Sequence, residues 1–483
     1  MSRSSRFARG HRAACVLGLA LALSACVSGP NFVQPPASAP ARYTNAALDA
    51  LGSSVQQAGA ASAQDADAPW WASLQSARLD ELIREGLERN HDLAAARATL
   101  AQARELAAAS EAPLYPQVDL NASGGRERYG AAFLGPEHFP PFTFYAVGAA
   151  VSYTFDFAGG VRRSIEQQRA NVSSQQHEVQ AAALSLSGSV AVQALTVARV
   201  RAQIQSIEAL LTDDQTDLRL VQDAFEAGSA NRVDVLTAQS QRANDETLLP
   251  PLRRELSTAQ HTLALLIGRA PGEWSAPDFT LEEFVLPSHL YLTLPSELAH
   301  QRPDILAAEA QLHAATAAVG VAAANLYPQV SLSATGGLQA TMLHALFDAS
   351  AAAGGVTGSL TAPLFNHGAL RARERAARDA LQASLASYEQ VVLRALGQVA
   401  DALEALDHDA ELVQSEQAAV AISGENLALT RESYAAGNTG VLQVLEAQRQ
   451  SQQARLGLVR AQGQRYQDTV ELLLALGGQM PPG

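Results

Sequence analysis

One five-residue segment occurs twice in this chain, far apart. Leu114-Tyr115-Pro116-Gln117-Val118 returns letter for letter as Leu326-Tyr327-Pro328-Gln329-Val330, 212 residues later. Further along, Phe225-Glu226-Ala227-Gly228 is echoed by Tyr434-Ala435-Ala436-Gly437 at an offset of 209. In the same register, Val235-Leu236-Thr237-Ala238-Gln239 is echoed by Val444-Leu445-Glu446-Ala447-Gln448. The halves end alike, at Leu266-Ile267-Gly268 and Ala475-Leu476-Gly477. A unit of about two hundred residues is too long for a solenoid repeat, so the chain reads as a duplicated structural module.

Each copy contains two kinds of periodicity. Residues 79–112 carry Leu79, Leu82, Ile83, Leu87, Leu93 and Leu100 mostly at helical spacing, and Pro113 and Pro116 close that helix. From Gln117 the period becomes two. Val118, Leu120 and Ala122 oppose Gln117, Asp119, Asn121 and Ser123; Val147, Ala149, Val151, Tyr153 and Phe155 oppose Gly148, Ala150, Ser152, Thr154 and Asp156. The second copy repeats this with Val330, Leu332 and Ala334, then with Val356, Leu360 and Leu364 opposite Thr357, Ser359 and Thr361. These are strands with one apolar and one small, polar face. Such a pattern fits a soluble sandwich as well as a membrane barrel with a wet lumen. Four strands cannot close a pore, since barrels start at about eight, so a spanning barrel must be shared between subunits. No other spanning candidate is expected after the N-terminal segment is removed, because no apolar stretch of about eighteen residues is evident.

Each copy then enters a very long helix. Residues 160–228 and 368–437 hold no Pro and few Gly, and either span is ~100 Å long at 1.5 Å per residue. Apolar residues recur every seven: Leu385, Val392, Val399, Leu406, Val413, Val420, Leu427 and Tyr434, matched in the first copy by Val190, Val197, Ile204, Leu211, Leu218 and Phe225. A sustained heptad means helices supercoiled against neighbours. Gly turns lead into return helices over 231–267 and 441–476, the first kinked by Pro250-Pro251.

The N-terminus gives a destination. Arg3, Arg6, Arg9 and Arg12 precede an apolar run ending in Leu23-Ser24-Ala25-Cys26, the signature of a secretory signal peptide. The small residues before the Cys resemble a bacterial lipobox, which makes Cys26 the acylated mature N-terminus. Val27, rather than Asp, favours the outer membrane. Cys15 leaves with the signal and Cys26 is consumed by lipid, so no disulfide or Cys-based metal site is expected. The net charge of −14 becomes −18 once those four Arg are removed, and the chain has no Lys. That sign disfavours nucleic acid as a partner.

The chain contains no His-Glu-x-x-His, no Gly-x-Ser-x-Gly, no phosphate-binding Gly loop and no Cys pair. No catalytic residue, metal or cofactor is expected. His408-Asp409 and Asp213-Asp214 read as solvated helix faces. The domain reading is a signal peptide at 1–25 and a lipidated linker and equatorial segment at 26–78. A first repeat follows at 79–268, an inter-repeat linker at 269–294, a second repeat at 295–477 and a tail at 478–483.

Several motifs together resemble the TolC-like outer-membrane factor family, in its NodT-type lipoprotein subgroup. They are Cys26 with Gly29-Pro30, Trp70-Trp71, Gln301-Arg302-Pro303-Asp304-Ile305 with Ala308-Glu309 and Gln311-Leu312, Leu326-Tyr327-Pro328, and the paired Ala-Gly turns at Gly228 and Gly437. The resemblance implies a mainly α protein with β: a homotrimer whose twelve-stranded barrel, four strands per chain, continues into a periplasmic tunnel of long helices. It implies the exit duct of a tripartite efflux pump for small toxic compounds or drugs. The partners would be a periplasmic adaptor and a proton-driven inner-membrane transporter.

The resemblance also implies a gate near the second turn and adaptor docking at the tip turns Gly228 and Gly437. Gate candidates are Asn438, Thr439, Gln443 and Glu446. Two acids of the family pattern fall on Gln443 and Glu446, and a third, found in the lipoprotein subgroup, on Thr439. The gate here is therefore less acidic than the pattern, and Glu446 reads equally as an ordinary exposed helix carboxylate. The alternative reading is a lipid-anchored periplasmic adaptor or coiled-coil scaffold. That protein would share Cys26 and the long helices but lack lipid-facing strands.

Overall fold

The computed structural model describes residues 28–36, 42–43, 55–57, 69–128, 140–287, 290–292 and 295–478. The signal segment and Cys26 lie outside the described residues. β1 (Val55–Gln57) precedes the first copy, which contains α1 (Ala77–Arg89), α2 (His91–Ser110), β2 (Gln117–Glu127), β3 (Phe142–Phe155), α3 (Gly160–Glu226), α4 (Arg232–Glu246) and α5 (Leu249–Leu266). β4 (Leu290–Leu292) lies in the linker between the copies, and the second copy contains α6 (Pro295–Gln301), α7 (Pro303–Ala324), β5 (Gln329–Ala340), β6 (Ala352–Thr361), α8 (Ala369–Ala435) and α9 (Val441–Ala475). The long helices α3 and α8 are each 67 residues and start 209 positions apart, so the duplication holds to the residue.

The chain forms two compact units. Of the described residues, one comprises 28–35, 99–128, 140–176 and 307–389 and carries a four-stranded antiparallel sheet in the order β2-β3-β5-β6. The hairpin of each copy contributes two neighbouring strands, and β3 pairs with β5 to join them. The register confirms the two faces expected from sequence. Val118 lies opposite Val151, which lies opposite Ala334, which lies opposite Val356. On the other face Gln117, Ser152, Ser333 and Thr357 form one row. The apolar face is uncovered: Leu120 is 80% exposed and Val356 75%. Strand lengths of 11, 14, 12 and 10 residues match or exceed the ~9–11 that a tilted strand needs to cross a bilayer. β6 stops at Thr361, short of the expected Leu364, because Pro363 cannot donate to a ladder.

Of the described residues, the other unit comprises 36, 42–43, 55–57, 69–98, 177–287, 290–292, 295–306 and 390–478. Its core gathers Trp70, Leu79, Ile83 and Leu93 with Val190, Leu195, Leu263, Phe279 and Val470. The tryptophan pair is pinned by polar handles: Trp70 Nε1 donates to Ser187 Oγ at 3.0 Å and Trp71 Nε1 to Asp80 Oδ1 at 2.9 Å. The expected helix over 79–112 is two helices. Asn90 is extended, donates Nδ2 to Leu266 O at 3.0 Å, and caps α2 by accepting from Leu93 N at 3.0 Å. Arg302, from the Gln-Arg-Pro-Asp motif, is a structural clamp and 8% exposed. It donates to both carboxylate oxygens of Asp304 at 2.9 and 2.8 Å, to Gln398 Oε1 at 2.6 Å, and to Ala475 O at 3.0 Å. It thereby satisfies an orphan carbonyl at the C-terminal end of α9.

The first return helix is more than kinked. It ends at Glu246 and restarts at Leu249, with the prolines in the first turn of α5 where missing N–H groups cost nothing. The corresponding positions of α9 are Val459 and Arg460, and α9 runs unbroken for 35 residues. The expectation that no long apolar stretch remains is corrected. α3 and α7 each contain an eighteen-residue window of mean hydropathy 1.5 and 1.3, with 50% and 56% of the window buried. Packing inside the protein accounts for these windows, as it does for any core helix.

Candidate functional site

The two helix–turn–helix connections bring the expected gate and docking residues together. In the first turn Gly228 N donates to Phe225 O at 3.0 Å and Ser229 N to Ala224 O at 2.9 Å. In the second, Gly437 N donates to Tyr434 O and Asn438 N to Ser433 O, both at 2.9 Å. These are the same Schellman cap written twice, 209 residues apart. Gly228 and Gly437 have φ of 76° and 73°, a conformation that favours glycine. Leu218, Val221, Val235 and Ala238 pack with Val441 and Leu445 and against Tyr434, so both turns belong to one apolar cluster.

The turns differ in how the next helix begins. Asn231 and Asp234 form a complete capping box on α4. Their counterparts on α9 are Gly440 and Gln443, and Gly440 supplies no side-chain cap. Asn438, Gln443 and Glu446 are exposed, and Thr439 is half-buried with a hydroxyl that has no hydrogen-bond partner among the described residues. Glu446 is not a free carboxylate. Arg449 Nη2 donates to its Oε1 at 2.5 Å and Nε to its Oε2 at 3.0 Å, while Gln450 adds a third bond at 2.9 Å. The Arg449 bonds lower the Glu446 pKa. The sequence reading missed this neutralising partner, although Glu-x-x-Arg on one helix face is a local ion pair.

A buried acidic layer lies ~20 Å along α3 from the first turn, at 1.5 Å per residue. Asp214 and Asp217 are 3% and 5% exposed. Gln448 Nε2 donates to Asp214 Oδ1 at 2.9 Å, and Arg431 donates to Gln448 Oε1 at 3.1 Å. Arg431 also lies 3.6 Å from Asp217 and 3.8 Å from Asp213. The Gln448 amide thus relays between a cation on α8 and a carboxylate on α3. Burial, then the nearby Asp245, push Asp214 up to about 7. Burial raises Asp217 too, against the opposing pull of Arg431. A matching site pairs α8 with α9: Asp409, 7% exposed, is pushed to about 7 by burial and by its hydrogen bond with Asp468.

Asp214 and Asp409 therefore correct the reading of solvated faces; only Asp213 and His408 keep substantial exposure. The signal was present in the heptad. Val200, Ile207, Asp214 and Val221 share one seven-residue frame, three positions on from the Leu211 frame. Tyr388, Ala395, Ala402 and Asp409 do the same on α8. Among the described residues no group of His, Cys, Asp and Glu is arranged to hold a metal ion.

Comparison with known proteins supports the same picture. The sequence profile of the family described as "Outer membrane efflux protein" matches residues 82–269 and 294–478, the two copies in turn. The pyoverdine export outer membrane protein OpmQ of Pseudomonas putida is 32% identical over 417 residues, covering 85% of this chain and 88% of that protein. The solved outer-membrane channel OprN superposes with a TM-score of 0.87 at 28% identity, covering 95% of this chain and 100% of that one. The solved CusC, described in terms of folding and transmembrane channel formation, gives 0.80 at 26% identity over 93% and 99% of the two chains.

Proposed function

This chain belongs to the outer membrane efflux protein family and is a subunit of an outer-membrane efflux channel, and from that premise we propose how its parts do the work. Three copies close their sheets into one twelve-stranded barrel. The observation that carries this is the four-stranded sheet, with an uncovered apolar face and with β2 and β6 each paired on one side in the sheet. An open apolar sheet is stable only if closed and bathed in lipid. The small, polar row of Gln117, Ser152, Ser333 and Thr357 then lines a wet lumen. The scaffold alternative has no use for such a face.

The long helices continue the duct into the periplasm. Cys26 carries the acyl anchor, and the paired turns at Gly228 and Gly437 receive the adaptor of a tripartite pump whose inner-membrane member supplies the energy. Conduction through the channel is passive. Asn438, Thr439, Gln443 and Glu446 line or border the constriction, with the Glu446–Arg449 pair replacing a bare acidic ring. The cargo is a small molecule. OpmQ is described as exporting pyoverdine and CusC as part of a cation efflux system, so family membership leaves the cargo class wide.

Purified protein should run as a heat-resistant trimer and conduct ions in a planar bilayer. A monomer with no conductance, obtained from protein correctly placed in the outer membrane, would refute the shared barrel.

A further inference from the structure

Residues 28–35, just after Cys26, are held more firmly than a leash requires. They lie in a groove between the first turns of α3 and the body of α7. Arg163, 3% exposed, donates from Nε to Ser28 O at 3.1 Å and from Nη2 to Asn31 Oδ1 at 2.7 Å. Its Nη1 donates to Glu166 Oε2 at 2.7 Å. The other oxygen of Glu166 meets His313 Nε2 at 2.9 Å, and the His313 ring stacks on Phe32 at 4.4 Å between centroids. Gln34 Nε2 donates to Glu309 Oε2 at 3.2 Å.

The backbone is in contact as well. Gly29 has φ +83°, and a Cβ there would lie 2.5 Å from Gly320 Cα. A Cβ on Gly320 would lie 2.8 Å from Ser28 O and from the Arg163 side chain. Two glycines are therefore required for the segment to seat.

The duplication offers an internal control. The positions matching Arg163 and Glu166 in the other copy are Ala372 and Arg375. Those matching Glu309, His313 and Gly320 are Arg97, Ala101 and Ala108. Every group that holds the segment is absent from the counterpart, and the glycine has a side chain.

Covalent geometry then places the anchor. Ser28 N donates to Ala158 O at 3.1 Å, at the junction between β3 and α3. Cys26 is two residues upstream, so its Cα lies within ~8 Å of Ser28. Phe155 and Phe157 stack at 5.5 Å beside that junction, both partly exposed, as an interfacial aromatic girdle would be. We propose that this groove is a built seat for the lipid-bearing N-terminus, which fixes where the acyl chains of Cys26 enter the periplasmic leaflet beside β3 and makes the anchor part of barrel assembly. The inference rests on Cys26 being the acylated N-terminus.

The test uses the absence of free thiols. Cys15 and Cys26 are the chain's two cysteines, the first removed and the second acylated in this reading. Phe32→Cys with His313→Cys should form a disulfide in most full-length molecules in the outer membrane, read as protection from alkylation. Arg163→Leu, and separately Asn31→Ala with Phe32→Ala on the segment itself, should leave the acyl mass at the N-terminus unchanged. Both should lower the yield of heat-resistant trimer at least threefold. In the Arg163→Leu background the engineered disulfide should restore that yield, which a purely local packing defect at Arg163 would not allow. Mass spectrometry separates the two layers of the argument. An unacylated mature N-terminus overturns the lipid reading and the role of the seat with it. An acylated N-terminus with no disulfide, or unseated variants with undiminished trimer, overturns the seat alone.

Discussion

Replacing Asp214 with Asn should stabilise the protein, and the gain should depend on pH. Asp214 is buried on α3 with Gln448 and Asp245 as partners, and its pKa rises from 3.8 to about 7. The native state therefore holds a proton that the unfolded chain has already released. Stability is highest below the unfolded pKa, falls as pH climbs from 3.8 towards 7, and is flat above that. At ~1.4 kcal/mol per unit the whole shift is worth roughly 4 kcal/mol as an upper bound. Relaxation around the charge reduces the expected cost to about 2–4 kcal/mol at pH 8. Asparagine resembles the protonated acid: its carbonyl accepts from Gln448, its amide faces Asp245, and it never ionises. The assay is thermal unfolding of the detergent-solubilised protein at a fixed scan rate, followed by the helical circular dichroism signal, from pH 4.5 to pH 8. Wild type and Asp214→Asn should melt together at the acidic end. The variant should melt several degrees higher at pH 8. A gain of equal size at both ends, or a variant less stable at pH 8, would refute the reasoning.

Four further outcomes follow from the same geometry. Leu120→Arg places a charge on the exposed apolar face and should cost ~2–4 kcal/mol in barrel stability. Cysteines at Asn121 and Ser333 should react with a water-soluble thiol reagent while those at Val118, Leu120, Val330 and Leu332 do not, and the opposite pattern would rule out the face assignment. A Cβ at Gly437 meets no atom within 4 Å, so the first cost of Gly437→Leu is the left-handed backbone, about 1–2 kcal/mol; it should abolish efflux in cells while leaving membrane insertion intact. Glu446→Ala strips Arg449 of its partner and should lower cation preference in single-channel recordings, whereas Arg449→Ala should raise it; if neither changes selectivity, the pair does not line the constriction.

The strands, the long helices and the turn glycines were legible because each is a local pattern repeated in a second copy. Period two in Val118, Leu120 and Ala122 needs no tertiary knowledge, and Gly437 announces its turn by sitting where Gly228 sits. The break at Asn90 was not legible. Nothing before the Leu93 frame distinguishes a capping asparagine from one in mid-helix until the Leu266 carbonyl is found beside it. The buried aspartates were misread for a different reason. Adjacent acids look solvated, and only the second heptad frame, three residues on from the first, reveals that Asp214 and Asp409 face inward. Arg302 was visible as a motif, but its task, closing the end of α9, depends on a carbonyl 173 residues away. Glu446 is legible from its place after the turn, whereas its partner Arg449 lies one helical turn further on, outside the turn pattern that marks the site.

The broken return helix has a mechanical consequence. α4 and α5 form a jointed rod, since the prolines have already removed the hydrogen bonds that bending would otherwise strain. α9 has no such joint and resists bending along its whole length. Two segments of nearly the same length and common origin thus differ in stiffness. In a three-copy assembly compliant and rigid staves alternate around the duct, so any widening at its inner end proceeds with three-fold rather than six-fold symmetry. Any bending of the first return helix is therefore expected at Thr247 and Leu248, between α4 and α5.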